Sequence, residues 1–505
     1  MKVMKKILTM LFVMMMVLGM GTAVSAEEGK YDDDNGTINI TNAIDGQTYN
    51  LYRILKLESF YDENPSVSTG TKRYAYKVET GWENFIKADG TGAGNAYFDV
   101  DENGYVTVKT SADLKDFSQK ALAYAKDTTN GITATNTENA TGTTVSFSGL
   151  KLGYYLVDSS VGTLCNLTTT NKNVTIKEKN VKPTLKKLIV ATPTNLETNT
   201  ATIGDTIKFQ TTITIGKGAQ KVHLYDEMDK GLTLDSSSIT VTKNGTTVAA
   251  TNYGTVNAIQ DATTNKWKFD FEFIQTYLDE LTKEMIDNNK ETLELVVTYS
   301  ATLNKDAVIG ATTGNENKTW LTYGDNATKS DESKTTTYSF EIPVFKFYKD
   351  SASTQKALAG VTFELRKEGG TEAIKFMKDT TGTEYRVALS TEASSTVTIE
   401  TNDTGKFTIK GLAAGTYELK EISAPAGYNI PTKPLEINIT SDGKVQLKDN
   451  AGAWSTITTT EVQIENKTGT ILPSTGGMGT TIMYIVGAAL LIGSGVVLVT
   501  KKSAK

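Results

Sequence analysis

Leu293-Glu-Leu-Val-Val-Thr-Tyr299 sets apolar side chains against polar ones at nearly every second position. A period of two belongs to a strand with one buried and one wet face. The pattern recurs in Thr37-Ile-Asn-Ile-Thr41, Thr206-Ile-Lys-Phe-Gln210 and Lys406-Phe-Thr-Ile-Lys410, with Gly, Asn and Asp turns between such runs. One-sided burial of this kind predicts an all-β chain of antiparallel sandwiches. Helical spacing is confined to 112–126 and 274–288.

A length of 505 residues suffices for about three domains. Asp and Glu outnumber Lys and Arg by 58 to 52, so no cationic surplus exists to displace counterions from nucleic acid. One cysteine, Cys165, excludes an internal disulfide or a Cys-rich metal site. One histidine, His223, excludes multi-histidine metal sites and disfavours a secreted Ser-His or Cys-His enzyme; it lies on the face opposite Asp226. No metal or cofactor is expected.

The ends specify export. Lys2, Lys5 and Lys6, the apolar run Ile7–Val17 and the small residues before Ala26 predict a signal peptide over 1–26. Residues 482–499 carry no charge and match a bilayer core in length, and Lys501, Lys502 and Lys505 follow. Between the domains and that transmembrane helix stands Leu472-Pro473-Ser474-Thr475-Gly476. Pentapeptide, helix and basic tail together resemble the sorting signal of Gram-positive surface proteins. That resemblance implies cleavage by a sortase between Thr475 and Gly476, with the Thr475 carbonyl passed to an amine.

Prolines place the boundaries. Val181-Lys182-Pro183 and Glu341-Ile342-Pro343 read as linkers, giving domains at 27–182, 183–341 and 342–468, with the sorting segment over 469–505. The Gly- and aromatic-rich stretch from Ser59 to Asn95 reads equally as a contact surface or a mobile loop.

The third domain contains Leu358-Ala-Gly-Val-Thr-Phe363 and Tyr417-Glu-Leu-Lys-Glu-Ile-Ser-Ala-Pro-Ala-Gly-Tyr428. These resemble the CnaB-type repeat and E-box of Gram-positive major pilins of the SpaA type. The resemblance implies an immunoglobulin-like sandwich holding an internal Lys–Asn isopeptide, with Glu421 as the acid, Asn466 as the electrophile and Lys349 as the amine. Alternation supports an inward trio, since Phe345, Phe347 and Lys349 are in phase, as are Tyr417, Leu419 and Glu421, and Val462, Ile464 and Asn466. Lys346, in phase with Val344, is the alternate amine.

The second domain shows a matching set in Lys187, Asp226 and Asn317, which resembles the CnaA-type domain of pilin shafts. Lys186 and Asn315 are the neighbours that compete with it. The first domain's opening strand, 37–42, has no lysine and no internal bond is expected there; Gly153-Tyr-Tyr-Leu156 resembles the N-terminal domain of major pilins. In such shafts a lysine ending the first domain accepts the next subunit. Lys179 is the expected residue, with Lys177 and Lys182 as rivals. The resemblance thus implies a cell-surface pilus subunit, anchored to the wall. Its partners are a class C sortase, a housekeeping sortase, further copies of itself, peptidoglycan, other pilins and host matrix. The alternative is a monomeric wall-anchored adhesin, or a tip or base pilin.

Overall fold

The computed structural model describes residues 35–62, 72–158, 163–167, 171–178, 181–324 and 327–468. The expected signal peptide, Lys179, the Leu472–Gly476 pentapeptide and the expected 482–499 helix lie outside them. Among the described residues strands dominate, and there are two α-helices, Leu114–Lys126 and Gln275–Asp287, where the helical spacing falls. No helix among them is long and apolar enough to cross a membrane.

Residues 35–178 fold around one apolar core. The Gly36–Thr41 strand lies between Thr144–Leu150, antiparallel to it, and Asn173–Lys177, parallel to it. A second sheet joins Lys72–Val78, Thr48–Asp62, Gly153–Val157 and Thr163–Leu167. Ile38 and Ile40 take the inward positions of the opening strand. The stretch after Val78 is part of the core rather than an appended loop. Trp82, Phe85 and Ile86 are buried, and Phe85 packs its ring 5.9 Å from Phe117 on the first helix.

Residues 184–338 form a two-sheet sandwich. One sheet orders Thr184–Ile189, Thr206–Gly216, Thr292–Leu303 and Leu232–Lys243. The facing sheet carries Trp267–Glu272, His223–Met228 and Gly310–Tyr323. Alternate residues turn inward along most of these strands, as Leu224, Asp226 and Met228 do in His223–Met228.

The third sandwich sets Thr362–Lys367, Gly415–Ser423, Leu435–Ile439 and Val445–Lys448 in one sheet. Its second sheet includes Lys406–Leu412 and Glu384–Val387, joined to a long strand, Ser333–Lys349. That strand runs unbroken through Glu341-Ile342-Pro343, so the expected linker is instead strand. Two compact units divide the chain, and their boundary falls inside this strand, between Tyr338 and Ser339. Pro343 is tolerated because a strand can lack one ladder donor where the register permits it; Val344, two residues from Ile342, keeps the inward row going.

The sheets are not purely antiparallel. The closing strand Val462–Glu465 runs parallel to Val344–Phe347, as Asn173–Lys177 does to Thr37–Thr41. Parallel neighbours need a long crossover, and the whole intervening domain supplies it.

Candidate functional site

Two interior clusters of Lys, acid and Asn stand out, because lysine, aspartate and glutamate are almost never fully buried unless paired. In the second domain Lys187 is 0 % exposed, Asp226 2 % and Asn317 0 %. Each continues an apolar inward row: Lys187 precedes Ile189, Asp226 follows Val222 and Leu224, and Asn317 precedes Leu321 and Tyr323. Lys187 comes from one sheet, and Asp226 and Asn317 from the facing sheet, where Met228 lies opposite Asn317. The cluster therefore spans the sandwich.

The Lys187 ammonium donates to Asp226 Oδ2 and meets the hydroxyl of Tyr299. Tyr299 in turn donates to Asp226 Oδ2 at 2.7 Å and accepts from Asn317 Nδ2 at 3.0 Å. Asp226 Oδ1 and Asn317 Oδ1 are buried with no hydrogen-bond partner. Burial pushes the Lys187 amine below its ordinary range, opposed by the nearby Asp226 charge. Burial likewise pushes the Asp226 carboxyl up.

The competitors are placed elsewhere. Lys186 is exposed and paired with Glu197. Asn315 is buried, but its amide clasps backbone, donating to Val308 O and Thr337 O at 3.1 Å and accepting from Val308 N at 2.8 Å. Tyr299 is the residue that sequence reading missed. Its signal was available, since it shares a face with Leu293, Leu295 and Val297; a tyrosine there reads as ordinary apolar filling.

In the third domain the interior amine is Lys346, and Lys349 is corrected to a surface position. Lys346 is 0 % exposed, while the Lys349 side chain is 47 % exposed beside Glu465. The parity error has a physical source. Val344-Phe-Lys-Phe-Tyr348 is apolar on both faces, so alternation alone does not say which row is inside. Ile342, Val344 and Lys346 take the core, while Phe345 and Phe347 stack 5.6 Å apart and Lys406 covers Phe345.

Lys346 Nζ donates to Asn466 Oδ1 and lies 2.9 Å from Glu421 Oε2. Asn466 Nδ2 donates to Glu421 Oε1. Glu421 is 5 % and Asn466 1 % exposed. Here the lysine and asparagine come from parallel neighbours, with Lys346 opposite Ile464, and the acid comes from the facing sheet, where Glu421 lies opposite Phe363. Burial again lowers the lysine, against the Glu421 charge.

Of the polymerisation candidates among the described residues, Lys177 and Lys182 are exposed, and Glu178 between Lys177 and Lys179 is buried. His223 is part-buried, hydrogen-bonded to Asp270 at 2.9 Å and stacked on Tyr225. It faces away from Asp226. Among the described residues no group of three or more His, Cys, Asp or Glu is arranged to hold a metal.

The architecture and these interior clusters define a modular, all-β class of protein. Residues 344–451 match the SpaA family of prealbumin-like fold domains. Over 466 residues the chain is 24% identical to the trypsin-resistant surface T6 protein of Streptococcus pyogenes serotype M6, covering 83% of this chain and 74% of that one. Among solved structures it is similar to the T6 backbone pilin of the same bacterium, at 19% identity and a TM-score of 0.45, covering 87% of this chain and 94% of that one. It is also similar to the Corynebacterium diphtheriae major pilin SpaA, at 16% identity and a TM-score of 0.42, covering 86% and 100%.

Proposed function

We propose that this chain is the shaft subunit of a covalently polymerised cell-surface pilus, whose second and third domains weld themselves shut with Lys187–Asn317 and Lys346–Asn466 isopeptides. The observation that carries the reading is the pair of interior clusters. A buried ion pair is weak support for stability, and apolar residues of similar volume are often as good or better. Orphaned buried acceptors such as Asp226 Oδ1 and Asn317 Oδ1 each cost about 1–3 kcal/mol. Two sandwiches holding the same three chemical types in different sheet arrangements point to reaction rather than packing.

The chemistry follows from burial. A lysine is nucleophilic only when neutral, and low polarity favours passing its proton to the acid. The neutral amine attacks the Asn Cγ. The carbonyl electron pair moves onto oxygen and returns as the C–N bond to the amide nitrogen breaks. One proton leaves the attacking nitrogen, one reaches the departing nitrogen, and ammonia is released. The acid ends neutral, a form that burial favours at Asp226. The event happens once and needs no metal or cofactor.

Assembly uses the ends. A class C sortase takes the Thr475 carbonyl from Leu472–Gly476 and transfers it to a lysine of the next copy, Lys179 in the first instance, with Lys177 and Lys182 as rivals. A housekeeping sortase then fixes the finished polymer to peptidoglycan. Resemblance of the domain 344–451 and of the chain to a surface protein supports this reading. Mass spectrometry of peptides from isolated wall material tests it. A Thr475–Lys179 branched peptide is expected; Thr475 joined only to wall peptide would instead identify a monomeric anchored adhesin.

A further inference from the structure

We propose that the Tyr299 hydroxyl is the proton relay of the Lys187–Asn317 reaction, giving the short Asp226 carboxylate the reach that Glu421 has by itself in the third domain. The inference rests on the isopeptide reading above.

The two clusters differ in how the acid meets the leaving group. Glu421 touches both reactants: one oxygen is 2.9 Å from Lys346 Nζ, and the other accepts from Asn466 Nδ2. Asp226 is one methylene shorter. Its Oδ2 bonds go to Lys187 and Tyr299, and its Oδ1 has none. The nitrogen that must depart, Asn317 Nδ2, meets Tyr299 instead, at 3.0 Å. One hydroxyl thus touches the nucleophile, the acid and the leaving nitrogen.

The ring is held for this work. Tyr299 is 1 % exposed, with Phe209 stacked at 5.5 Å and Phe269 edge-on at 4.8 Å. A tyrosine serving only to fill the core needs one partner for its hydroxyl; this one serves three groups. Burial also raises its pKa well above 10, so the phenol stays protonated and able to donate.

The step balances. Lys187 passes a proton to Asp226, and the neutral amine adds to Asn317 Cγ. Tyr299 gives its proton to Asn317 Nδ2 and takes one back from the Asp226 carboxyl, which is refilled from the nitrogen of the new bond. The Cγ–Nδ2 bond breaks and ammonia leaves. The products are a secondary amide, a phenol and a neutral carboxyl, with no net change in charge.

The test follows newly synthesised full chain by mass spectrometry of the crosslinked peptides over time. Tyr299→Phe is expected to slow the Lys187–Asn317 bond by about 10²-fold or more, while the Lys346–Asn466 bond in the same molecules forms at its usual rate. Replacement of Tyr299 by difluorotyrosine keeps the shape and makes the hydroxyl more acidic, which is expected to speed the second-domain bond. That variant also decides the matter should Tyr299→Phe fail to fold, since a purely structural tyrosine would not respond to acidity. An undiminished rate in Tyr299→Phe, or an unaltered rate with difluorotyrosine, overturns the relay while leaving the bond itself established. Absence of any Lys187–Asn317 peptide from the unmodified chain would overturn the isopeptide reading instead.

Discussion

At the scale of single residues, the decisive distinction is between lysines three positions apart. Lys346 is sealed among Asn466, Glu421 and the Phe363 ring, whereas Lys349 reaches solvent. Lys346→Ala is therefore expected to abolish the third-domain bond, and Lys349→Ala to leave it intact, read as loss or retention of the crosslinked peptide. Bond formation should also depend on pH at both limbs. Burial lowers Lys187 and raises Asp226, so the reactive pair is neutral amine with neutral acid. Acid puts the proton back on the amine, and alkali strips the carboxyl of the proton it must deliver. A bell-shaped rate is expected for newly made chain across a pH series, and a rate that rises steadily into alkali would count against a protonated acid. The burial of Lys187, Asp226, Asn317, Glu421 and Asn466 is legible in the sequence, because each continues an apolar inward row and a polar side chain there is costly without a partner. The choice between Lys346 and Lys349 is not legible, because both faces of their strand are apolar, and Tyr299 does not stand out, because tyrosine is common in cores.

At the scale of elements, the amine's place depends on its strand being held at the right height. Lys346 N donates to Gly405 O at 2.7 Å, and a Cβ at Gly405 would stand 2.3 Å from Lys346 O. Gly405 also has φ +71°, in the left-handed region that side chains disfavour. Gly405→Ala is expected to cost roughly 1–3 kcal/mol and to reduce the yield of the Lys346–Asn466 bond, measured by chemical denaturation and peptide mapping on one preparation. Unchanged yield and stability would show that the strand has slack the geometry denies. The strands themselves were readable from alternation, and so were the two helices. Their directions were not. Parallel closure of first and last strands, and a strand running through Glu341-Ile342-Pro343, depend on long-range pairing that local periodicity does not encode.

At the scale of the molecule, the bonds would change how the chain bears load. A Lys187–Asn317 bond would close a loop of 130 residues and a Lys346–Asn466 bond one of 120. The chain-entropy estimate for crosslinks gives about 5 kcal/mol for each. Asn317→Ala and Asn466→Ala are each expected to lower the melting temperature by roughly 10–20 °C, seen by calorimetry, and to open the affected domain to protease. Force entering at a lysine strand would leave through the amide, sparing the residues between, which suits a thin extracellular fibre. The most direct measurement is the intact mass of recombinant residues 27–475. Two bonds predict a deficit of about 34 Da, one ammonia for each, with Lys187 and Lys346 recovered only in branched peptides. A mass equal to that of the unaltered sequence, with both lysines free after digestion, would contradict the account.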